Sequence, residues 1–320
     1  MARTAQMNHR GRDANRPGQI PKAGWRDVLL RVKSEMGKDN LGLVSAGVAF
    51  YFLLSIFPAI GAFVSIYGIV YDPADAQNQV QSMSEMMPAD ARTLLVDQMR
   101  SLTSGSEKAL GFGALLGIFL ALWSTMKGTT AIMTALNIVY DEEETRGFIR
   151  LNLTAFALTV GAVLFFAISL ALIAALPPIL EGIGVGRWVE AAFSILRWPL
   201  LAFLVVMTLA IFYRYAPDRK QPRWRWVNPG SLTAATLWLI GSALFSWYVS
   251  NFGSYNETYG SLGAVIVLLM WFYVTAYIVL IGGELNAELE HQTRQDTTEG
   301  REEPMGQRQA YVADTVGKKP

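Results

Sequence analysis

Cysteine is absent from this 320-residue sequence, and histidine occurs only at His9 and His291. The absence of cysteine excludes disulfides, thiolate metal sites and cysteine nucleophiles. A metal-dependent hydrolase needs several His, Asp or Glu ligands that converge on one ion. The only acidic cluster, residues 141–144, consists of four consecutive residues that cannot all face one ion. Because a phosphate loop of the Walker type is also missing, the sequence predicts no enzyme, no cofactor and no resident metal.

Charged residues are scarce in the most apolar parts of the chain. Hydrophobic residues make up 52% of the sequence, its mean hydropathy is +0.28, and its net charge is only +1, which implies no polyanionic partner. The run from Leu262 to Gly283 has no charged residue. At about 1.5 Å per residue, this run reaches the ~30 Å thickness of a bilayer core. A soluble domain rarely buries a helix that is apolar on all sides, so the run predicts a transmembrane helix.

Six such runs predict an all-α, polytopic membrane protein, a bundle of about six transmembrane helices. The predicted spans are residues 41–70, 110–133, 151–176, 198–213, 229–250 and 262–284. They form a single predicted membrane domain, residues 25–290. Residues 1–24 are predicted to be a disordered basic tail and residues 291–320 a disordered cytoplasmic tail, because both are polar. Residues 72–109 are predicted to form a helical extracytoplasmic segment between the first two spans.

A short amphipathic helix is predicted just before the first span. Its apolar face consists of Trp25, Val28, Leu29, Val32 and Met36, and the cations Arg26, Arg31 and Lys33 avoid that face. Two placements fit this pattern. The helix can lie in the membrane interface with its cations near anionic headgroups, or it can pack against the cytoplasmic ends of the bundle.

Lysine and arginine are distributed unevenly outside the predicted spans. Twenty-one of them lie in residues 1–41, 138–150, 214–228 and 286–320, whereas five lie in residues 72–109, 181–197 and 251–261. Cytoplasmic loops carry the excess of positive charge in membrane proteins. Both termini are therefore predicted to be cytoplasmic and residues 251–260 to lie outside. The same rule explains the basic loop 214–225 without a nucleic-acid partner.

Four stretches of the sequence carry a family resemblance. They are AGVAFYFLLSIFPAI (46–60), the W-S-x-x-x-G and A-L-N-x-V-Y segment (123–140), YRYAPDRK leading to NPGSLTAATLW (213–238), and the run from Tyr248 to Glu290. Together they resemble the YihY/BrkB family of bacterial inner-membrane envelope proteins, formerly labelled ribonuclease BN. The resemblance covers roughly residues 25–290. It implies a place in the inner membrane and a link to envelope integrity.

Lys127 and Glu284 are the ionisable residues closest to membrane depth, and such residues are functional candidates. The two depths differ by about 7 Å at 1.5 Å per residue, a gap that a lysine side chain can span. We therefore hypothesise that Lys127 and Glu284 pair near the cytoplasmic ends, with Asn137 and Asn286 nearby. The alternative is that each charge reaches the interface separately.

Two further features are functional candidates. The outer loop contains Tyr255, Asn256, Glu257 and Tyr259, whose hydroxyl, amide and carboxylate groups could bind a lipid headgroup. The alternative is that they fix the loop by hydrogen bonds to its own backbone. Pro58 lies inside the first span, where it favours a kink and is a candidate hinge, although many membrane prolines are simply accommodated.

The pattern fits two functions. The first is a transport or lipid- and amphiphile-handling role in envelope integrity, because the few intramembrane charges suit an amphiphile better than a small ion. Its partners would be membrane lipids. The second is a non-transporting envelope scaffold that binds partner proteins through residues 72–109. A homo-oligomer is compatible with either function, and no catalytic constellation supports the ribonuclease label.

Overall fold

The computed structural model describes residues 10–70, 112–170, 172–173, 176, 186–252 and 262–318. These residues form a short 3-10 helix, Pro17–Gln19, and eight α-helices. In chain order the α-helices are α1 (Lys22–Lys38), α2 (Leu41–Val70), α3 (Phe112–Val139), α4 (Phe148–Leu170), α5 (Arg187–Tyr215), α6 (Trp224–Phe252), α7 (Leu262–His291) and α8 (Tyr311–Asp314). Within these ranges the only β pairing is an isolated bridge between Pro222 and Thr298.

The six long helices α2 to α7 correspond to the six predicted spans, and the prediction of an all-α polytopic membrane protein is confirmed. Among the described residues, four helical stretches are long and apolar enough to cross a membrane: Phe148–Ser169, Ala192–Tyr215, Trp224–Asn251 and Val265–His291. The bent pair α1 and α2 raises the number to five. In the apolar window of each of the four stretches, at most 22% of the residues are buried within the chain. Residues 72–109 lie outside the described residues.

The chain divides into two compact units. Unit 1 consists of Met1–Ser45, Ile132–Ile240 and Tyr277–Pro320, and unit 2 consists of Ala46–Ala131 and Gly241–Ala276. Unit 1 contains α1, α4, α5 and α8, together with one end of several long helices. Its polar residues 10–40, 140–147, 216–223 and 284–318 are referred to below as the polar cap.

Residues 10–24 and 291–318 are folded into the polar cap, which corrects the prediction of disordered tails for these residues. Arg12 donates hydrogen bonds to the carbonyl oxygens of Gln292 and Gly317, at 3.3 and 2.6 Å. Thr293 donates to the carbonyl of Ala14 at 2.7 Å and is fully buried. The composition of these segments is polar enough for disorder, but their side chains and backbone satisfy one another instead of binding water.

Helix α1 packs one face against the start of α6 and the end of α7, so the packing alternative holds for that face. Val28 and Val32 are buried in a cluster with Trp226, Leu285 and Leu289. The predicted apolar face is only partly correct, because its member Leu29 is exposed together with Leu30, Arg26 and Lys33. Helices α1 and α2 meet at an angle of 65°, and Asn40 at this elbow has a left-handed φ of 51°, which asparagine tolerates better than most residues.

Candidate functional site

The last two turns of α7 carry a concentration of buried polar side chains. Glu284, Asn286, Glu288 and Glu290 are all buried, although three of them are carboxylates. A buried charge is costly unless it is paired and hydrogen bonded. Each of these side chains therefore needs a partner from another segment, and the partners define how the polar cap is built.

Glu288 joins α7 to α1 through an ion pair with Arg31. The same guanidinium donates a hydrogen bond to the side-chain oxygen of Gln292 at 2.8 Å. His291 lies 3.6 Å from the other oxygen of the Glu288 carboxylate. One arginine of the amphipathic helix is thus used to hold α1 on α7, and it is not available to lipid headgroups.

Glu290 faces a different partner, Arg219 of the basic loop after α5. The guanidinium donates to both carboxylate oxygens, at 2.7 and 3.2 Å, and both side chains are completely buried. Thr297 donates a third hydrogen bond to Glu290 at 2.6 Å, and the guanidinium also lies 5.1 Å from the centre of the Tyr140 ring. Burial acts to lower the pKa of Arg219, but the charge of Glu290 outweighs it and raises that pKa above its usual value.

Asn286 and Asn137, both predicted site residues, hold backbone groups inside unit 1. Asn286 accepts a hydrogen bond from the Gly230 amide at 2.7 Å and donates to the Val227 carbonyl at 3.1 Å. Asn137 accepts from the amide of Asp218 at 2.7 Å. These contacts give both amides a structural role, since each accepts a hydrogen bond from a backbone N–H group of another segment.

Glu284 is 1% exposed and has no ion-pair partner among the described residues of unit 1. Its carboxyl group lies next to the carboxyl group of Asp39, at the elbow between α1 and α2. Its Oε1 atom receives no N–H or O–H donor from the described part of the chain. Glu284 therefore differs from Glu288 and Glu290, whose charges are balanced by arginines.

The acidic turn at residues 141–144 makes contacts within the polar cap. Glu142 accepts a hydrogen bond from the Tyr311 amide at 2.7 Å, and Glu144 pairs with Arg146 at 2.6 Å. Burial raises the pKa of Glu142 to about 7, although the bond from Tyr311 acts to lower it. In the described ranges no group of three or more His, Asp or Glu side chains is arranged to hold a metal ion.

Lys127 lies in unit 2, on α3, and its side chain is exposed. It is the only Lys, Arg, Asp, Glu or His among the described residues of that unit. Two exposed aromatic residues precede it at four-residue spacing, Phe119 and Trp123, with ring centres 6.2 Å apart. Because residues four apart share one helix face, Phe119, Trp123 and Lys127 form one exposed row along α3. The pairing of Lys127 with Glu284 concerns two different units and stays a prediction.

The roles of the remaining candidate residues stay predictions. Tyr255, Asn256, Glu257 and Tyr259 lie outside the described residues. Pro58 lies within α2, whose helical range runs through it, and its role as a hinge stays a prediction.

The ion pairs of the polar cap were missed by sequence reasoning. Arg219 and Glu290 are 71 positions apart, and Arg31 and Glu288 are 257 positions apart. A sequence signal for the acidic members did exist, because Glu284, Glu288 and Glu290 end an otherwise apolar helix. Nothing in the spacing identified which arginines would pair with them.

Six long, mostly apolar helices with a buried polar cap define a polytopic helical membrane protein. The chain belongs to the YihY/BrkB family: residues 32–307 match the family model described as virulence factor BrkB. One relative, YfkH of Bacillus subtilis, is named as ribonuclease-like; it is 34% identical over 260 residues, covering 78% of this chain and 90% of its own. A UPF0761 membrane protein of Psychromonas ingrahamii is 28% identical, covering 83% and 89%. Another, from Idiomarina loihiensis, is 26% identical, covering 79% and 87%.

No solved structure matches this chain.

Proposed function

We propose that this protein handles anionic lipids or other anionic amphiphiles in the bacterial inner membrane, in a transport role that supports envelope integrity. Membership of a membrane-protein family supports the membrane setting. The observation that carries the proposal is the exposed row formed by Phe119, Trp123 and Lys127. The role requires a surface that accepts a charged head and an apolar chain together, and this row offers both.

The chemistry of the row matches the two parts of an amphiphile. The ammonium group of Lys127 is a compact cation that attracts a phosphate or carboxylate head, and no carboxylate among the described residues of unit 2 competes for it. The rings of Trp123 and Phe119 offer apolar area to an acyl chain. A single cation beside aromatic rings suits one anionic head with an apolar tail.

The long helices support an amphiphile over a small ion. The predicted spans carry no carboxylate between their ends, since Glu284 stands at the end of the last one. Pathways for small ions usually have polar or ionisable side chains at mid-depth. The apolar stretches of α4 and α5 are only 17% and 6% buried, so acyl chains have wide access to them.

The distribution of positive charge supports cytoplasmic termini, with the polar cap on the cytoplasmic side. Because the chain has no cysteine, a single Asn256→Cys substitution creates a unique labelling site. We expect a membrane-impermeant maleimide to label this residue from outside the inner membrane in intact spheroplasts. Labelling only after the membrane is opened would reverse the orientation.

We also propose that the protein is not an enzyme. The absence of a metal-binding trio in the described ranges supports this proposal, and so does the use of Arg219 and Arg31 in buried ion pairs. Ribonuclease activity of purified protein that survives removal of contaminating nucleases would contradict it.

Reconstitution into liposomes tests the transport role. We expect wild-type protein to accelerate transfer of a fluorescent phosphatidylglycerol analogue between leaflets, and Lys127→Ala to lose this acceleration. Lys127→Arg keeps the charge and is expected to retain it. Lys33→Ala removes another exposed lysine, from α1, and is the matched control, expected to behave as wild type.

Two results would overturn the transport role. One is wild-type protein that moves no lipid while a stable envelope partner is captured through residues 72–109, which would favour a scaffold. The other is a Lys127→Ala variant that moves lipid as fast as wild type.

A further inference from the structure

We propose that Asp39 and Glu284 form a proton-binding carboxyl pair that holds one shared proton and thereby fastens the α1–α2 elbow to α7. This binding site is independent of the lipid-handling proposal, because Asp39 and Glu284 lie in unit 1 and Lys127 lies in unit 2. Its ligand is the proton.

The contact between the two groups requires a proton. Ionised carboxylates are acceptors only, and two of them cannot hydrogen bond to one another. When one carboxyl group is protonated, its O–H donates to the other, as in other paired carboxyls that share a proton. The carboxyl groups of Asp39 and Glu284 are neighbours placed for such a bond. The buried Oε1 atom of Glu284 receives no N–H or O–H donor from the described residues. A proton on one of the two carboxyl groups would supply the missing donor.

The surrounding charges favour one proton on the pair. Glu35 of α1, Glu288 of α7 and Asp141 of the turn after α3 are acidic groups near it. The cation facing Asp39 is Lys38, which is bonded to Glu35. Arg31 and His291 lie against Glu288, and the phenol of Tyr140 is also close to Glu284.

These neighbours leave the pair without a dedicated cation of its own. Arg31 balances Glu288 and Lys38 is drawn to Glu35. Like charges in contact disfavour double ionisation. Burial raises the pKa of Asp39, although its contact with Glu284 acts to lower it.

Release of the proton follows a simple balance. In the closed pair one carboxylic acid O–H donates to one carboxylate, and the net charge of the pair is −1. Breaking that O–H bond passes the proton to water at Asp39, which is half-buried, and leaves a charge of −2. The two carboxylates then repel each other where the chain bends by 65°.

Infrared spectroscopy of the full-length protein in nanodiscs tests the pair, because a protonated carboxyl has its own C=O stretching band. A Glu142→Gln background is used throughout, since Glu142 has a pKa of about 7 and would add to the band. At pH 7 we expect a band equivalent to one carboxyl per molecule. Asp39→Asn and Glu284→Gln should each abolish it, because an amide donor lets the remaining carboxylate ionise.

Asp141→Asn is the matched control. It removes a neighbouring carboxyl, on an exposed residue, whose pKa is also raised, mainly by partial desolvation, but which is not in contact with Glu284. The band should persist in this variant. A band that survives Asp39→Asn and disappears only in Glu284→Gln would mean a single buried acid and would overturn the shared proton. Absence of the band in the parent protein, or its loss in the control, would overturn it as well.

Discussion

Arg219 and Glu290 form a two-pronged ion pair, 2.7 Å at its shorter contact, with both side chains fully removed from solvent. The pair connects the basic loop after α5 to the end of α7. Positive charge in such a loop favours a cytoplasmic location, but this particular arginine has a second role inside the fold. Removal of either partner leaves an uncompensated buried charge.

Substitution of Arg219 by methionine should therefore destabilise the protein strongly. Breaking a buried pair by removing one partner costs about 3–5 kcal/mol. The double variant Arg219→Met with Glu290→Met should recover part of that loss, because it removes the orphaned charge. The free energy of unfolding, measured by denaturant titration in micelles, checks both expectations.

The control for this experiment is Lys38→Met, which breaks an exposed ion pair with Glu35. Exposed pairs contribute little to stability, so this variant should unfold like wild type. A double variant that is less stable than both single variants would contradict the explanation by an orphaned charge.

Gly230 is required by the close approach of α6 and α7. A methyl group at this position would overlap the carbonyl oxygen of Gly282 and lie 2.5 Å from Asn286. Gly230→Ala should therefore separate the helices, break the Asn286 bond to the Gly230 amide and lower the thermal unfolding midpoint. Gly47→Ala is the matched control on α2, because nothing lies within 4 Å of a methyl group there. Equal midpoints for the two variants would show that the crossing tolerates a larger residue.

The C-terminal segment should stabilise the polar cap. A chain that ends after His291 loses the Gln292 contact to Arg31 and the Gly317 contact to Arg12. We expect trypsin to cleave this shortened protein much faster than wild type near Arg12 and Lys22. A chain that ends after Gly317 keeps both contacts and is expected to resist cleavage. Equal resistance of the two shortened chains would contradict the folded role of the segment.

The contact between Glu142 and Tyr311 should depend on pH. The pKa of Glu142 in the folded protein, about 7, lies above its ordinary value of 4.5. The folded state therefore binds this proton more tightly than the unfolded state does. The resulting contribution to stability is fully present below pH 4.5 and is lost as the pH rises to about 7, with a slope of at most about 1.4 kcal/mol per pH unit.

Glu142→Gln should abolish this part of the pH dependence. The comparison is the free energy of unfolding of the variant against wild type between pH 5 and 8. Glu144 and Asp218 have lowered pKa values: burial acts to raise them, but bonds from Arg146 and Thr145 respectively outweigh it. They titrate at lower pH and do not obscure the window. Identical curves for variant and wild type would contradict the raised pKa.

The helices could be predicted from the sequence because they depend on local physics. An uncharged run such as Leu262 to Gly283 must be helical in a bilayer, since only its own backbone can satisfy its hydrogen bonds. The position of Glu284 at the end of that run also marked it as a candidate functional residue. These predictions needed no knowledge of distant contacts.

The polar cap could not be predicted, because it depends on contacts between residues that are far apart in the sequence. Polar tails such as residues 291–318 have the composition of disordered segments, and their order depends on partners such as Arg12 and Arg31, which are far away in sequence. The exposure of Leu29 was also missed, because the periodicity of α1 does not show which of its apolar residues are covered by neighbouring segments.

The amount of anionic lipid that remains bound to the purified protein is the most direct test of the lipid-handling role. Native mass spectrometry should detect bound phosphatidylglycerol on wild type and on Lys127→Arg. Loss of a charge-assisted contact costs about 1.5–3 kcal/mol, so retention by Lys127→Ala should be at least about tenfold weaker. Retention by Lys127→Ala equal to that of wild type would contradict the assignment of the Phe119, Trp123 and Lys127 row.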